Sequence, residues 1–497
     1  MKNSIKFAAT LFIAALLTQA ASPGEAARVK KNDVSGAGAP VSRDVELDEG
    51  RWTDLVRRYP ILFVSNDIYL NDAPSPEVLA RWWDVLLDDV LTQLIGEALD
   101  HNRDLQTARA KVLESRAALG VGKATLLPWL DNTNSWTRAS ASEHSTGDGR
   151  TLDIYRLSLD ASWEIDLFGQ KRDNVNAAVA TLEADYASLH SVWTSLSSEV
   201  ALTYLSLRTL QERLDIAQKN LDLRTDTLEL VRSQYSAGLR SALALHQAQY
   251  SVEQTRASIP TLRTGTEAAL NALAILVGRV PGELEFLLGE RKPLPHPETV
   301  GLIGIPAELL RRRPDIHAAE RRLAAQMSRT KSAKKDLLPR FSLFGSIGLE
   351  SLSTGNLFSN GSVGFSFGPR ITMPLFHGGA IRQNIRVQSA REEQLLAVYE
   401  QTVLAAVAEV RNALTAHVQE QERNASLRRG VEAARNAREI AEDQYRNGLT
   451  DFNTVILTQQ ALLSLEEEYT VSRGQLTSNV VRLFKALGGG WEPLYAQ

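Results

Sequence analysis

The chain of 497 residues contains no cysteine. Disulfides, thiolate metal sites and cysteine nucleophiles are therefore excluded, and the redox compartment is left open. Long apolar runs are also missing. Beyond the N-terminus no stretch of about 18 apolar residues occurs, which argues against helical membrane spans. Strand-built spans stay possible, because their hydropathy signal is weak per segment. The net charge of −4 lacks the basic excess of a nucleic-acid binder. The eight histidines are scattered, with no His-x₃-His pair, so no metal site and no cofactor is expected. Gly345-Ser-Ile-Gly348 is not a nucleophile elbow, and nothing else suggests an enzyme. Proline is absent from 169–238 and again from 380–446.

What is present begins with a change of period. From Tyr155 to Leu167 every odd position is apolar or aromatic and every even one polar or charged. This describes a strand with one oily face, Tyr155, Leu157, Leu159, Trp163, Ile165 and Leu167, and one wet face with Arg156, Asp160, Glu164 and Asp166. Phe168-Gly169 breaks the pattern. From Leu189 to Tyr235 apolar residues then fall alternately four and three apart, interrupted only by Thr203 and Arg224. A seam of period 3.5 means long helices packed as in a coiled coil. One helix over 169–237 would run roughly 100 Å at about 1.5 Å per residue.

The N-terminus has Lys2 and Lys6, the apolar run Phe7–Leu17 and small-x-Ala sites, the pattern of a secretory signal peptide over 1–21. A polar lead-in, 22–75, follows. Helical periodicity then runs to about Leu127, with Asn102 and Asp104 at a turn and N-cap between two helices. Residues 129–167 form a hairpin of long strands, and the long helix is answered by a return helix, 240–277. Gly238 occupies the place of a helix-terminating glycine. A Pro/Gly-rich connector covers 279–305.

The chain then starts again. Arg313-Pro-Asp-Ile…Leu-Leu-Pro339 lines up with Asn102-Arg-Asp-Leu…Leu-Leu-Pro128, and Gln444-Tyr-Arg-Asn-Gly-Leu449 with Gln234-Tyr-Ser-Ala-Gly-Leu239. Two distant anchors at offsets of 211 and 210 establish an internal duplication: repeat 1 over 76–278 and repeat 2 over 306–488, before a tail at 489–497. Repeat 2 should hold strands within 340–376, a long helix 380–446 and a return helix 450–487. The turn Phe376-His-Gly378-Gly379 stands in the place of Phe168-Gly169.

Four strands with an apolar face cannot close on themselves. Their edges would be costly in lipid and sticky in water. In a membrane the oily face meets lipid and the polar face a lumen. Two copies would close 8 strands, three 12 and four 16. The competing reading is a soluble protein whose strand hairpins cap a helical bundle.

The organisation resembles the outer-membrane factor family, the exit ducts of tripartite efflux pumps and type I secretion systems. The resemblance rests on Ser162-Trp-Glu-Ile-Asp-Leu-Phe-Gly169, Leu309-Leu-Arg-Arg-Arg-Pro-Asp-Ile316, Met373-Pro-Leu-Phe-His-Gly-Gly379, Gln444-Tyr-Arg-Asn-Gly-Leu449 and Leu483-Phe-Lys-Ala-Leu-Gly-Gly-Gly-Trp491. It implies a mixed α and β fold. A trimer would join a 12-strand outer-membrane β-barrel to a coiled-coil tunnel reaching into the periplasm, with a belt around the 279–305 connector. It also implies a periplasmic adaptor (membrane fusion protein), an inner-membrane transporter and outer-membrane lipid as partners. The efflux branch is nearest; a type I protein secretion duct and a periplasmic coiled-coil scaffold are the alternatives.

Two departures stand out. Gln19-Ala-Ala-Ser22 has no cysteine for an acyl anchor. Where relatives carry an Asp and an Arg that hold the tunnel mouth shut, this chain has Ala244 with Gln247, and Leu457 with Gln460. Charges near the helix tips are Arg232, Arg240, Asp443, Arg446 and Asp451. The expected adaptor-docking residues are Tyr235, Gly238 and Leu239 at one tip, and Tyr445, Gly448 and Leu449 at the other.

Overall fold

The computed structural model describes residues 79–140, 142, 144, 150–295 and 312–491. The signal peptide, the lead-in, the end of the connector and most of the C-terminal tail lie outside the described residues.

Helix α1 (Asp89–His101) starts where the Asp88 carboxylate accepts the Leu91 amide at 3.0 Å, and it buries Leu91, Leu94, Ile95 and Ala98. Asn102 ends α1 and caps α2 (Arg103–Ala124): its Oδ1 accepts the Leu105 amide at 3.0 Å while its Nδ2 donates to the Leu276 carbonyl at 2.9 Å. One side chain thus caps a helix and ties it to the far end of the return helix, as its residue type suggests. Strands β1 (Trp129–Ser140) and β2 (Thr151–Ile165) follow. Gly169, at φ +76°, lets the chain turn into α3 (Gln170–Ser236), 67 residues long. The return helix α4 spans Ala242–Val277, and a one-turn helix, Glu285–Leu288, lies in the connector. Repeat 2 supplies α5 (Pro314–Lys335), β3 (Arg340–Ser351), β4 (Val363–Thr372), α6 (Ala380–Arg446), again 67 residues, and α7 (Phe452–Ala486).

The four strands form one antiparallel sheet in the order β1-β2-β3-β4, so among the described residues β1 and β4 each leave an outer edge unpaired. Opposite residues share a face. Leu159 stands between Asn132 and Ile347, and Ile347 faces Phe365. One face therefore gathers Tyr155, Leu157, Leu159, Trp163 and Ile165 with Phe341, Leu343, Leu349, Phe367 and Ile371. The other gathers Asp131, Thr133, Arg156, Ser158, Asp160, Glu164, Ser346 and Arg370. Leu167, counted in the strand by its alternation, lies two residues past the end of β2. Mixed α and β with two repeats is thus the observed class.

The largest core gathers Trp82, Leu91, Leu94, Val200, Tyr204, Leu273 and Phe484 midway along the long helices. Long helices that are marginal alone gain their stability by packing there.

Candidate functional site

Two features recur in each repeat: the strand-to-helix turn and the helix tip. The first turn, Phe168-Gly169, is braced from both repeats. Lys335 Nζ donates to the Gly169 carbonyl at 3.2 Å and pairs with Asp173 at 2.6 Å. Gln170 Nε2 donates to Asp336 Oδ1 at 2.6 Å, and Asp336 is in turn held by Arg340 at 2.7 Å. Lys171 reaches the Thr125 carbonyl, and Trp163 Nε1 donates to the Leu126 carbonyl, both at 2.9 Å. The second turn is bare. Phe376 is 89% exposed, and the space beside Gly378 and Gly379, at φ +57° and +84°, is open. Among the described residues no ion pair holds it; the counterpart of Lys335 in repeat 1 is Ala124.

At the tips both turns are built alike. Gly238 and Gly448 adopt φ +72° and +73°. The Leu239 amide bonds back to the Gln234 carbonyl and the Leu449 amide to the Gln444 carbonyl, closing each helix in a glycine-dependent cap. Leu239 and Leu449 project into solvent, 73% and 76% exposed. The tyrosines part company: Tyr235 is exposed at 42%, Tyr445 buried at 4%. Tyr445 enters a cluster with Val231, Ala244, Ala248, Phe452, Val455 and Ile456, drawn from both hairpins. Its hydroxyl donates to Gln234 Oε1 at 3.1 Å, and the Arg240 guanidinium lies 4.3 Å from its ring centre. Arg240 Nε also donates to Gln234 Oε1, at 3.2 Å. Burial raises the Tyr445 pKa, against an opposing pull from Arg240.

The other tip charges serve locally. Arg446 pairs with Asp443 on its own helix at 3.9 Å, and Asp451 caps α7 by accepting the Thr454 amide at 2.9 Å, which lowers its pKa. Arg232 is an exposed side chain on α3. Among the described residues, Arg240 is the one of the five that reaches the other hairpin. Ala244 sits in the tip cluster, whereas Leu457 and Gln460 are exposed. Gln234 and Phe452 were missed by sequence reasoning, although the Gln-Tyr pair repeats at 444–445.

Midway up, buried Arg208 holds the connector. Its Nη1 donates to the Glu290 carbonyl and to Gln211 Oε1, both at 2.8 Å, and its guanidinium lies 5.0 Å from the Tyr204 ring centre. Burial pushes Tyr204 up to about 12. His190, stacked on Trp491 at 5.0 Å, is pushed down to about 4 by burial, with a smaller push from His317.

Among the described residues no group of three His, Cys, Asp or Glu could hold a metal, and no helix is long and apolar enough to cross a membrane. The profile of the family "Outer membrane efflux protein" matches residues 94–279 and 305–489. The "Probable efflux pump outer membrane protein SepC" of Pseudomonas putida is 32% identical over 420 residues, covering 84% of this chain and 87% of that protein. The solved outer-membrane channel OprN superposes with a TM-score of 0.81 at 34% identity, over 87% of this chain and 96% of the other. The outer membrane protein VceC of Vibrio cholerae superposes with a TM-score of 0.77 at 27% identity, over 83% and 99%.

Proposed function

Because the chain belongs to the outer membrane efflux protein family, we propose that it is the exit channel of a tripartite efflux pump, a passive duct for drugs or other small molecules. The observation that carries this is the sheet: one face oily, one face polar, both edges open, running directly into helices of 67 residues.

In the outer membrane the oily face meets lipid, and the row Tyr155, Leu157, Leu159, Trp163 and Ile165 spans it. Tyr155 stacks on Trp136 at 6.5 Å near the outer end of the row. Trp163 lies eight residues further along, about 26 Å at strand rise. That equals the height of an apolar band flanked by aromatic girdles, about 25 Å. The open edges of β1 and β4 demand neighbours, since each unsatisfied backbone group in lipid costs several kcal/mol. Three copies close a 12-strand barrel and place the bare Phe376–Gly379 turn against the next copy. The crossings at Gly169 and Gly379 mark where the chain leaves the membrane for the periplasm.

The tips, Gly238-Leu239 and Gly448-Leu449 with Tyr235 beside them, are the docking turns for a periplasmic adaptor, which links the duct to an inner-membrane transporter. The mouth is held by the Tyr445–Gln234–Arg240 contact in place of an Asp/Arg pair, and opening untwists the inner helices and breaks it.

Purified protein should run as heat-modifiable trimers that conduct ions in a planar bilayer; protein that folds without conducting would overturn the channel. The double substitution Gly238→Glu with Gly448→Glu should abolish adaptor-dependent drug resistance while trimers still insert. Unchanged resistance would remove the docking assignment.

A further inference from the structure

Inside one chain the helices of repeat 1 meet those of repeat 2 through ion pairs. These include Lys335–Asp173 at 2.6 Å, Arg321–Glu183 at 3.5 Å, Arg213–Glu467 at 3.6 Å and Arg473–Glu212 at 2.9 Å. Where the sheet closes into a ring through further copies, repeat 2 of one copy meets repeat 1 of the next. The same junction then recurs with each residue replaced by its counterpart. The correspondence is fixed along the helices. Gly169 and Gly379 precede helices of 67 residues each, and Gly278 and Gly488 follow the return helices, all at an offset of 210. Helices α2 and α5 keep an offset of 211.

Three of these four pairs are lost in the exchange. Lys335 and Asp173 become Ala124 and Gln383, Arg321 becomes Ala110, and Glu467 becomes Ala257. The fourth keeps both charges: Glu212 becomes Glu422 on α6, and Arg473 becomes Arg263 on α4. Both side chains are exposed, and among the described residues neither forms an ion pair within its own chain. Arg423, beside Glu422, is already taken up by Glu420 at 3.4 Å and Glu468 at 4.0 Å, carboxylates whose counterparts in repeat 1 are Leu210 and Ser258. Glu422 is thus the charge left facing outward. The crossing next to it also changes. At Gly474 on α7 a Cβ would lie 3.3 Å from that of Thr209 on α3, whereas their counterparts, Thr264 and Gln419, are both polar and exposed. We infer that the face of α6 bearing Gln419 and Glu422 docks on α4 of a second copy of this chain, pinned by an ion pair from Glu422 to Arg263 of that copy. This rests on the closed ring of copies proposed above. The seam is polar and open to water, so salt weakens it.

The test uses the full-length protein extracted in detergent. Gln419→Cys with Thr264→Cys should oxidise to a covalent trimer, because the equivalent positions within the chain approach to the Cβ separation a disulfide spans. Either cysteine alone should give monomers on a denaturing gel. Arg263→Glu and Glu422→Arg should each speed the dissociation of heated trimers about tenfold at low salt, the combined worth of three exposed pairs. The two together should return the rate to within about twofold of wild type, and high salt should erase the differences. Losses that add in the double variant would overturn the pin. Cross-linked trimers from Asn132→Cys with Ile371→Cys, across the β1 and β4 edges, beside monomers from Gln419→Cys with Thr264→Cys would overturn the docking face and leave the ring standing. Monomers from both cysteine pairs would overturn both. If the pair at 419 and 264 fails to insert, the charge exchange decides, since the pin requires the double variant to recover what each single one loses.

Discussion

The hairpins α3–α4 and α6–α7 share a length, a turn and an ancestor, yet at one matched stretch their seams are made of different matter. In the first, Leu262 packs with Ala217 and Ile259, and Leu210 and Leu214 close against them. In the second, the positions 210 residues on from Leu210, Leu214 and Leu262 are Glu420, Asn424 and Ser472. These form a hydrogen-bonded chain: Ser472 Oγ donates to Glu420 Oε1 at 2.5 Å, and Asn424 Nδ2 donates to Ser472 Oγ at 3.2 Å. An apolar seam loses about 25 cal/mol for each Å² it exposes. A hydrogen-bonded one trades partners with water at about 1 kcal/mol net per bond. Two helix pairs of one geometry can therefore divide the labour, the first as a strut and the second as the part that moves.

Matched substitutions separate the seams. Leu262→Ala should cost about 3 kcal/mol through the cavity it leaves, and Ser472→Ala about 1 kcal/mol, read as the loss in denaturant midpoint of the refolded protein. Equal costs would break the comparison.

The second contrast is acid sensitivity. His190 in repeat 1 has Glu400 as its counterpart in repeat 2, so only repeat 1 should carry a buried imidazole there. The folded pKa of His190, about 4, lies below its ordinary value of 6.5. Below pH 6.5 the unfolded chain thus binds the proton more readily than the folded one. This contribution is complete above about pH 6.5 and is lost as pH falls toward 4, about 2–3 kcal/mol in all. Melting curves of wild type and His190→Asn between pH 7 and 4 should converge as that term disappears.

A third contrast lies at the tips. Tyr445→Phe removes one hydrogen bond, about 1 kcal/mol, and should raise the fraction of open channels in single-channel recordings. Tyr235→Phe should leave it unchanged. The smallest stability effect belongs to the triple substitution Glu420→Leu, Asn424→Leu, Ser472→Leu, which replaces a satisfied network by apolar groups and is near neutral. It should nevertheless reduce opening, because the mobile seam becomes a strut. Slower amide exchange in α6 and α7 would report the same change.

Much of the fold class was legible because its signals are local or periodic. The alternation through Tyr155–Ile165 reads as a strand at sight, the Asn102 cap follows from residue type, and the duplication follows from two equal offsets. The sites were legible less evenly. Gly238 and Gly448 announce their turns, but nothing in Gln234-Tyr235 and Gln444-Tyr445 says that one tyrosine is exposed and the other buried. That depends on which hairpin leans over which, and so on packing between residues some 210 positions apart. The brace of Lys335 on Gly169 and Asp173 was illegible for the same reason. Arg224 shows the converse. It interrupts the seam in sequence, yet in the fold it is buried, with Nη1 donating to Ser251 Oγ at 2.7 Å.

A closed barrel requires the two open edges of the sheet to meet edges of further copies. Trp163 of β2 faces Leu343 of β3 within the chain. The repeat carries Leu343 to Asn132 and Trp163 to Ile371, since Leu167-Phe168 aligns with Leu375-Phe376. Closure by further copies therefore sets Asn132 of one protomer opposite Ile371 of the next. Within one chain these strands are three spacings apart, about 14 Å, too far for a disulfide. In this cysteine-free protein, Asn132→Cys with Ile371→Cys should oxidise to a covalent trimer that survives boiling without reductant and collapses to monomer with it. Folded, membrane-inserted protein that stays monomeric under oxidation would contradict the closed 12-strand barrel.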